Sequence, residues 1–171
     1  PILPPTVPVT PMSPDGVGFR PGAQRIVLVA TDSRTLVHED DNAAVYTGVG
    51  GVAVNSSVFP DGSFGTFITT PGGLGAQVQT TINELVADNI QVIGLGQSFS
   101  FFGGTGSPRT ELEALATLTG AINNTGVPVE NNITPGPSAD DIQPGAPLYF
   151  EVTSTDAVAL ADSIVNAIVA V

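Results

Sequence analysis

The feature that most constrains the fold of this chain is an apolar run at residues 25–31, which is followed directly by Asp32. A short run of this kind, without polar alternation, is typical of a strand that is buried on both faces of a parallel sheet. Similar runs follow at residues 90–96 and 148–152. In open α/β sheets, ligands and metals bind at the carboxyl ends of the strands. The sequence therefore predicts a parallel sheet with Asp32 at its ligand-binding edge.

Helical segments separate the predicted strands. Apolar residues at helical spacing predict a helix over residues 74–88. Ser107, as a cap, and Pro108, at the first helical position, predict the start of a second helix. Gly120 predicts its end, because glycine commonly terminates helices. The alternation of strands and helices predicts the α/β class, with a three-layer, doubly wound, Rossmann-like sheet.

A third helix is predicted to close the chain after a Thr-x-x-Asp arrangement at residues 153–156, which is similar to a capping box. Its apolar residues form one stripe at helical spacing: Val158, Ala161, Ile164, Val165 and Ile168. We expect Ile164 and Ile168 to face the sheet and Asn166 to face solvent.

The remaining segments divide the chain into an arm and one domain. Residues 1–24 are rich in proline and predict an extended arm or linker. The domain covers residues 25–171 and contains an insert at residues 33–73, within which glycines at residues 43–54 indicate a kinked hairpin. A loop without periodicity is predicted at residues 121–147.

The charge balance restricts the partners of the chain. Sixteen acidic residues oppose four arginines in 171 residues, lysine is absent, and the formal net charge is −12. Because such a surface repels phosphate, nucleic acid binding is disfavoured. The acidic surface favours an extracellular or cell-surface setting. Cysteine is absent, and no apolar run reaches the roughly 18 residues needed to span a bilayer, so we expect no membrane span.

Several weak motifs occur in a familiar order, and together they cover about residues 20–171. They are the run at 26–32 with Ser33, Arg34 and Thr35, the turn Pro60-Asp61-Gly62, the helical segment 77–87, the run at 90–96, the segment 112–120 and the run at 149–152. In this order and spacing the chain resembles the second half of a von Willebrand factor type A domain, and the bacterial and integrin-β-like versions are the most similar.

The resemblance implies a divalent cation at Asp32. Members of this family hold the metal with an Asp-x-Ser-x-Ser motif after the first strand, a middle-loop residue, and an aspartate after the fourth strand. Asp32 matches that last aspartate, whereas the Asp-x-Ser-x-Ser motif is missing from this sequence. The resemblance therefore implies half a domain, which carries the last three parallel strands, with the remaining metal ligands supplied by an N-terminal half.

A half-sheet of this kind implies a partner at its first strand. Residues 25–31 are apolar on both faces, yet nothing in the chain is predicted to pair with their other edge. An exposed strand edge of this kind is a template for pairing with another strand. We expect it to pair with the N-terminal half of the same precursor, with another subunit, or with a copy of itself.

The candidate site residues each allow two interpretations. Asp32 is a candidate ligand of Mg²⁺ or Ca²⁺, which prefer carboxylate oxygens, or a cap at a strand end. Asp40 and Asp41, in an acidic cluster, could hold a cation or form a solvated face. His38 is the only histidine, so no histidine metal cluster can form. No triad can be assembled around it from the sequence.

A second group of residues is predicted to bind a protein partner. The group consists of Ser33, Arg34, Phe99, Phe101 and Phe102. The three phenylalanines follow the second strand and lie at the same predicted edge as Asp32. Aromatic residues there could anchor a partner, or they could pack beneath their own loop.

Three functions are compatible with these patterns. The first is a non-enzymatic adhesion or interaction module of a secreted or surface protein, which uses a shared Mg²⁺ or Ca²⁺ ion. The second is a structural subunit of a surface layer, filament or larger complex without a metal. The third, an enzyme, is the least supported because no set of nucleophile, base and orienting residue can be assembled.

Overall fold

The computed structural model describes most of the predicted domain and little of the arm. The described residues are 19, 22–31, 44–59, 77–96, 108–131, 138–151 and 157–170. The strands are β1 (Arg25–Thr31), β2 (Val45–Thr47), β3 (Ala53–Asn55), β4 (Ile90–Gly96) and β5 (Tyr149–Glu151). The helices are α1 (Val78–Ala87), α2 (Arg109–Thr119) and α3 (Ala157–Ala170), and two short 3₁₀ turns flank β3.

The predicted parallel sheet is confirmed. Strands β1, β4 and β5 form a three-stranded sheet in the order β1-β4-β5. Both pairs are parallel, and β1 pairs with β4 along its whole length, from Arg25 opposite Ile90 to Thr31 opposite Gly96. The fold is therefore mixed α/β and compatible with the Rossmann-like class.

Helices α1 and α2 share one face of the sheet. Both crossovers move in the same direction across the sheet, and right-handed crossovers then place their helices on the same face. Gly94 of β4 lets α2 approach closely, since a Cβ at this position would lie 2.6 Å from Cβ of Leu112. Val78 and Ile82 of α1 belong to the same buried cluster as Leu118 of α2. We call this side the α1–α2 face.

Helix α3 packs against a buried cluster that includes the β4 side chains on the other face of the sheet. Because side chains alternate along a strand, Ile93 and Leu95 point away from the α1–α2 face. They form a buried cluster, against which Ile164 of α3 packs. The expectation that Ile168 also faces the sheet is wrong, since Ile168 is 46% exposed. Three strands are too narrow a surface to cover the whole predicted stripe, and Val165 is exposed as well.

The predicted kinked hairpin is present as β2 and β3. The strands pair antiparallel, and Gly50 and Gly51 between them have positive φ angles of 66° and 78°. Those left-handed conformations favour glycine. Tyr46 of β2 is buried and packs edge to face against Phe59, with the ring centroids 5.4 Å apart. The hairpin thus packs on the outer side of α1 and α2.

The predicted loop at residues 121–147 is more ordered than its composition indicates. Isolated β-bridges join Ile122 to Pro147 and Val129 to Ile142. Asn123 is 1% exposed, and its amide nitrogen donates to the carbonyls of Val127 and Ile142, at 2.8 Å each. The buried Asn123 side chain therefore adds to the backbone hydrogen bonds of these bridges in the described part of this loop.

The predicted helix ends are close to those observed. Pro108 already has helical backbone angles, and its carbonyl accepts the N–H of Leu112 at 3.0 Å. Gly120 ends α2 in the left-handed conformation, with φ at 77°. Helix α1 begins at Val78, and residues 74–76 of the predicted helix lie outside the described residues, as do residues 152–156 before α3. Across the parts of the chain with described coordinates, no helix has the length and hydropathy that a membrane span requires.

Candidate functional site at the carboxyl edge of the sheet

The three parallel strands end in one row of residues. Thr31 pairs with Gly96, and Gly96 pairs with Glu151, so the last residues of β1, β4 and β5 lie side by side. Paired residues of parallel strands direct their side chains to the same face. Thr31 and Glu151 therefore flank a glycine on the α1–α2 face. We call Thr31, Gly96 and Glu151 the carboxyl-edge row.

Arg109, the first residue of α2, links two carboxylates beside this row. Its Nε donates to Oε1 of Glu113 at 2.7 Å, and its Nη1 lies 3.7 Å from Oε2 of Glu151. The hydrogen bond to Glu113 is the main reason that the pKa of Arg109 is raised, since partial burial acts in the opposite direction. The charges of Glu113 and Glu151 raise this pKa further. Arg109 is therefore a cation at every physiological pH.

Tyr149 occupies the space above the two glycines of β4. A Cβ at Gly96 would lie 2.6 Å from the hydroxyl oxygen of Tyr149, and a Cβ at Gly94 would lie 3.1 Å from its ring. The guanidinium carbon of Arg109 lies 5.5 Å from the centre of the same ring, which is cation–π distance. The Gly-x-Gly spacing within β4 therefore makes room for an aromatic ring at the ligand-binding edge.

Two buried polar residues complete this region. Glu111, in the first turn of α2, is fully buried, and it is not without an interaction partner. Asn131 is 2% exposed; its Oδ1 accepts the N–H of Glu151 at 3.2 Å and its Nδ2 donates to the carbonyl of Asp140, also at 3.2 Å. The loop thereby fixes the end of β5. Neither residue was predicted from the sequence, because burial of a polar residue depends on contacts with distant segments.

The residues that the sequence predicts for the site are not among those described. This applies to the candidate metal ligands and to the candidate partner-binding residues alike: Asp32, Ser33, Arg34, Asp40, Asp41, Phe99, Phe101 and Phe102. The structure does place Thr31, the residue before Asp32 in the sequence, at the carboxyl end of β1. Among the described residues there is no group of three histidine or acidic side chains that could hold a metal ion.

Side-chain amides bond to backbone groups of two edge strands, β2 and β5. In β2, the amide of Gln79 accepts the N–H of Thr47 and donates to its carbonyl, at 2.9 Å each. In β5, Asn131 accepts the N–H of Glu151. These contacts satisfy backbone groups that would otherwise be free to pair with another strand.

Strand β1 has no comparable cover within the described part of the chain. On the side away from β4, no described strand or side chain bonds to residues 26–30, which we call the β1 edge. Val27 is 36% exposed and Leu28 is 37% exposed. In the pairing register, Val27 shares the α1–α2 face with Gly94, whereas Leu28 shares the opposite face with Ile93. As far as the described residues extend, the β1 edge is thus open, with apolar side chains exposed on both faces.

Comparison with known proteins identifies no relative of this chain. No family model, no curated protein and no solved structure matches it.

Proposed function

We propose that this chain is a non-enzymatic interaction module of an extracellular or cell-surface protein, and that a strand from a partner completes its sheet at the β1 edge. One observation carries the proposal: no strand or side chain in the described part of the chain covers the β1 edge, and β1 exposes apolar side chains on both faces. A strand exposed in this way is a template for strand addition. At β5, the other border strand of the three-stranded sheet, Asn131 accepts the N–H of Glu151, whereas no described side chain bonds to the β1 edge.

The partner strand belongs to the N-terminal half of the same precursor, to another subunit, or to a copy of this chain. This part of the proposal rests on the resemblance to the second half of a von Willebrand factor type A domain. The order β1-β4-β5 supports it, because the resemblance implies the same order for the last three strands. In such a domain β1 is an interior strand, and interior strands are apolar on both faces.

The proposed adhesion site includes a Mg²⁺ or Ca²⁺ ion at Asp32. The position of Thr31 in the carboxyl-edge row supports this assignment, since Asp32 follows Thr31 in the sequence. A single carboxylate is a weak site for a hard cation, so other ligands must come from the partner. Asp40 and Asp41 are the next candidates in this chain, and Ser33, Arg34 and the phenylalanines after β4 would contact the bound protein.

A metal-free structural subunit of a surface layer, filament or larger complex is the second candidate function. The exposed apolar side chains of α3 favour it, because Val165 is 58% exposed and Val169 is 73% exposed. Such side chains are typical of surfaces that become buried in assemblies. Metal analysis of the assembled protein separates the two functions, since only the first requires a bound cation.

Hydrogen exchange tests the open edge directly. In the isolated chain at about micromolar concentration, we expect the segment Arg25–Thr31 to exchange at least about tenfold faster than Ile90–Gly96. The second segment is the matched control, because it has the same length and is paired with the first along its whole length. When a partner occupies the edge, Arg25–Thr31 should become protected. Equal protection of both segments at a concentration where the chain is monomeric would show that the β1 edge is already covered, and would refute the proposal.

A further inference from the structure

We infer that a second copy of this chain occupies the β1 edge, with the two β1 strands antiparallel about a two-fold axis. The inference rests on the open edge of the proposed function and names the partner there; the additional ligands of the proposed cation would come from elsewhere, because residues 19–31 of a second copy contain no carboxylate. Across such an axis, two three-stranded sheets join into one continuous sheet. The same surface is used by both copies, as in most symmetric dimers.

The exposure of β1 on both faces decides what kind of partner fits. A single extended peptide would satisfy the edge but would leave Val27 and Leu28 in contact with water, on opposite faces of the sheet. Covering both side chains requires a strand that is itself apolar on both faces and that belongs to a layered α/β unit. The β1 strand of a second copy has these properties.

Charge also favours β1 as the contact between copies. Each chain carries a formal net charge of −12, so most of its surface repels a second copy. Residues 19–31 contain no acidic residue. The only charged residue in β1 is Arg25, whose Nη1 donates to the carbonyl of Asp88 at 2.8 Å and lies 3.7 Å from its carboxylate. Two copies can therefore approach at β1 without placing carboxylates opposite each other.

An antiparallel pair centred on Leu28 brings compatible side chains together. In that register Leu28 lies opposite Leu28 of the second copy, Val27 lies opposite Val29, and Ile26 lies opposite Ala30. Directly opposed side chains of an antiparallel pair lie close enough to pack against each other, and all of these side chains are apolar. The axis runs perpendicular to the sheet and keeps both α3 helices on the same face.

Disulfide trapping tests this geometry. The chain contains no cysteine, so any disulfide formed by a single-cysteine variant must join the introduced cysteines of two copies. Directly opposed residues of an antiparallel pair have Cβ atoms about 4.5–5.5 Å apart, which is close enough for disulfide formation after small adjustments. We expect Leu28→Cys to give mostly covalent dimer under mild oxidation. The matched control is Val127→Cys, at an exposed valine of the loop, which should stay monomeric.

Sedimentation of the unmodified chain provides a measurement without any substitution. We expect a monomer–dimer equilibrium that tightens at least about threefold when salt rises from about 0.02 M to about 0.5 M, because salt screens repulsion between two acidic copies. Leu28→Lys should abolish dimerisation, whereas Val127→Lys should not. A dimer that weakens with added salt, or that survives Leu28→Lys, would overturn the inference.

Hydrogen exchange at increasing chain concentration separates failure of this inference from failure of the proposed function. A chain that stays monomeric, with rapid exchange at residues 25–31, would refute pairing with a second copy. It would leave the edge available to another partner. A monomer with slow exchange at residues 25–31 would refute both the dimer and the proposed function. Protection that rises together with the fraction of dimer supports both.

Discussion

Strands β1 and β4 have the same length and pair residue by residue over seven positions, yet their burial differs sharply. In β4, Val92 is 3% exposed and Ile93 is completely buried. Their partners in β1, Val27 and Leu28, are 36% and 37% exposed. An apolar run therefore predicts a strand, but the neighbours of that strand decide whether it is interior.

The largest expected effect is the loss of a core side chain from β4. Ile93→Ala should lower the free energy of unfolding by about 2–5 kcal/mol, because it leaves a cavity in a closely packed cluster. Leu28→Ala, at the paired position in β1, should cost less than about 1 kcal/mol in the monomer. Urea denaturation of both variants measures the difference. Equal losses would show that β1 is as buried as β4 and would break the comparison.

The second effect tests what holds the loop at residues 121–147, which precedes β5. Asn123→Ala should cost about 2–3 kcal/mol, because it removes a buried side chain that donates to the carbonyls of Val127 and Ile142 and accepts the N–H of Thr125. Asn124→Ala is the control, since the adjacent Asn124 is exposed. Thermal unfolding of the two variants is the measurement. A neutral Asn123→Ala would show that the loop does not depend on this side chain.

Helix α3 gives a smaller effect that sharpens the contrast between covered and open surfaces. Ile164→Ala should cost about 1–2 kcal/mol, below the range for full burial, because Ile164 is only partly buried against the core. Ile168→Ala should change stability by less than about 0.5 kcal/mol in the monomer. Chemical denaturation of both variants decides the matter. A larger loss at Ile168 would mean that α3 is rotated about its axis relative to the structure.

The smallest effect concerns the proposed cation. In the assembly with the partner that supplies the remaining ligands, Mg²⁺ or Ca²⁺ at about five times its Kd should add about 1 kcal/mol of stability, because it binds only the folded state. Asp32→Ala should remove this increment, whereas Asp162→Ala, at an exposed position of α3, should keep it. Melting curves with and without a chelator measure it. An increment that survives Asp32→Ala would move the site, with Asp40 and Asp41 as the next candidates.

The carboxyl edge shows how much of the site the sequence could predict. The position of Thr31 at the end of β1 follows from the apolar run alone. The cluster around Arg109 does not, although its spacing of four residues from Glu113 indicates a helical ion pair. Its contact with Glu151 joins segments 42 residues apart in sequence, and no local pattern encodes such a distance.

The sequence by itself determined the elements and their class. Apolar runs defined the three parallel strands, and the glycines at residues 50 and 51 and at residue 120 marked the hairpin bend and the end of α2, because these conformations depend on local backbone geometry. Only the tertiary structure decided how deeply each element is buried. The exposure of β1, the limited contact of α3 and the burial of Asn123 and Glu111 depend on which distant surfaces meet, and hydrophobic burial is set by the surface removed from water rather than by residue type.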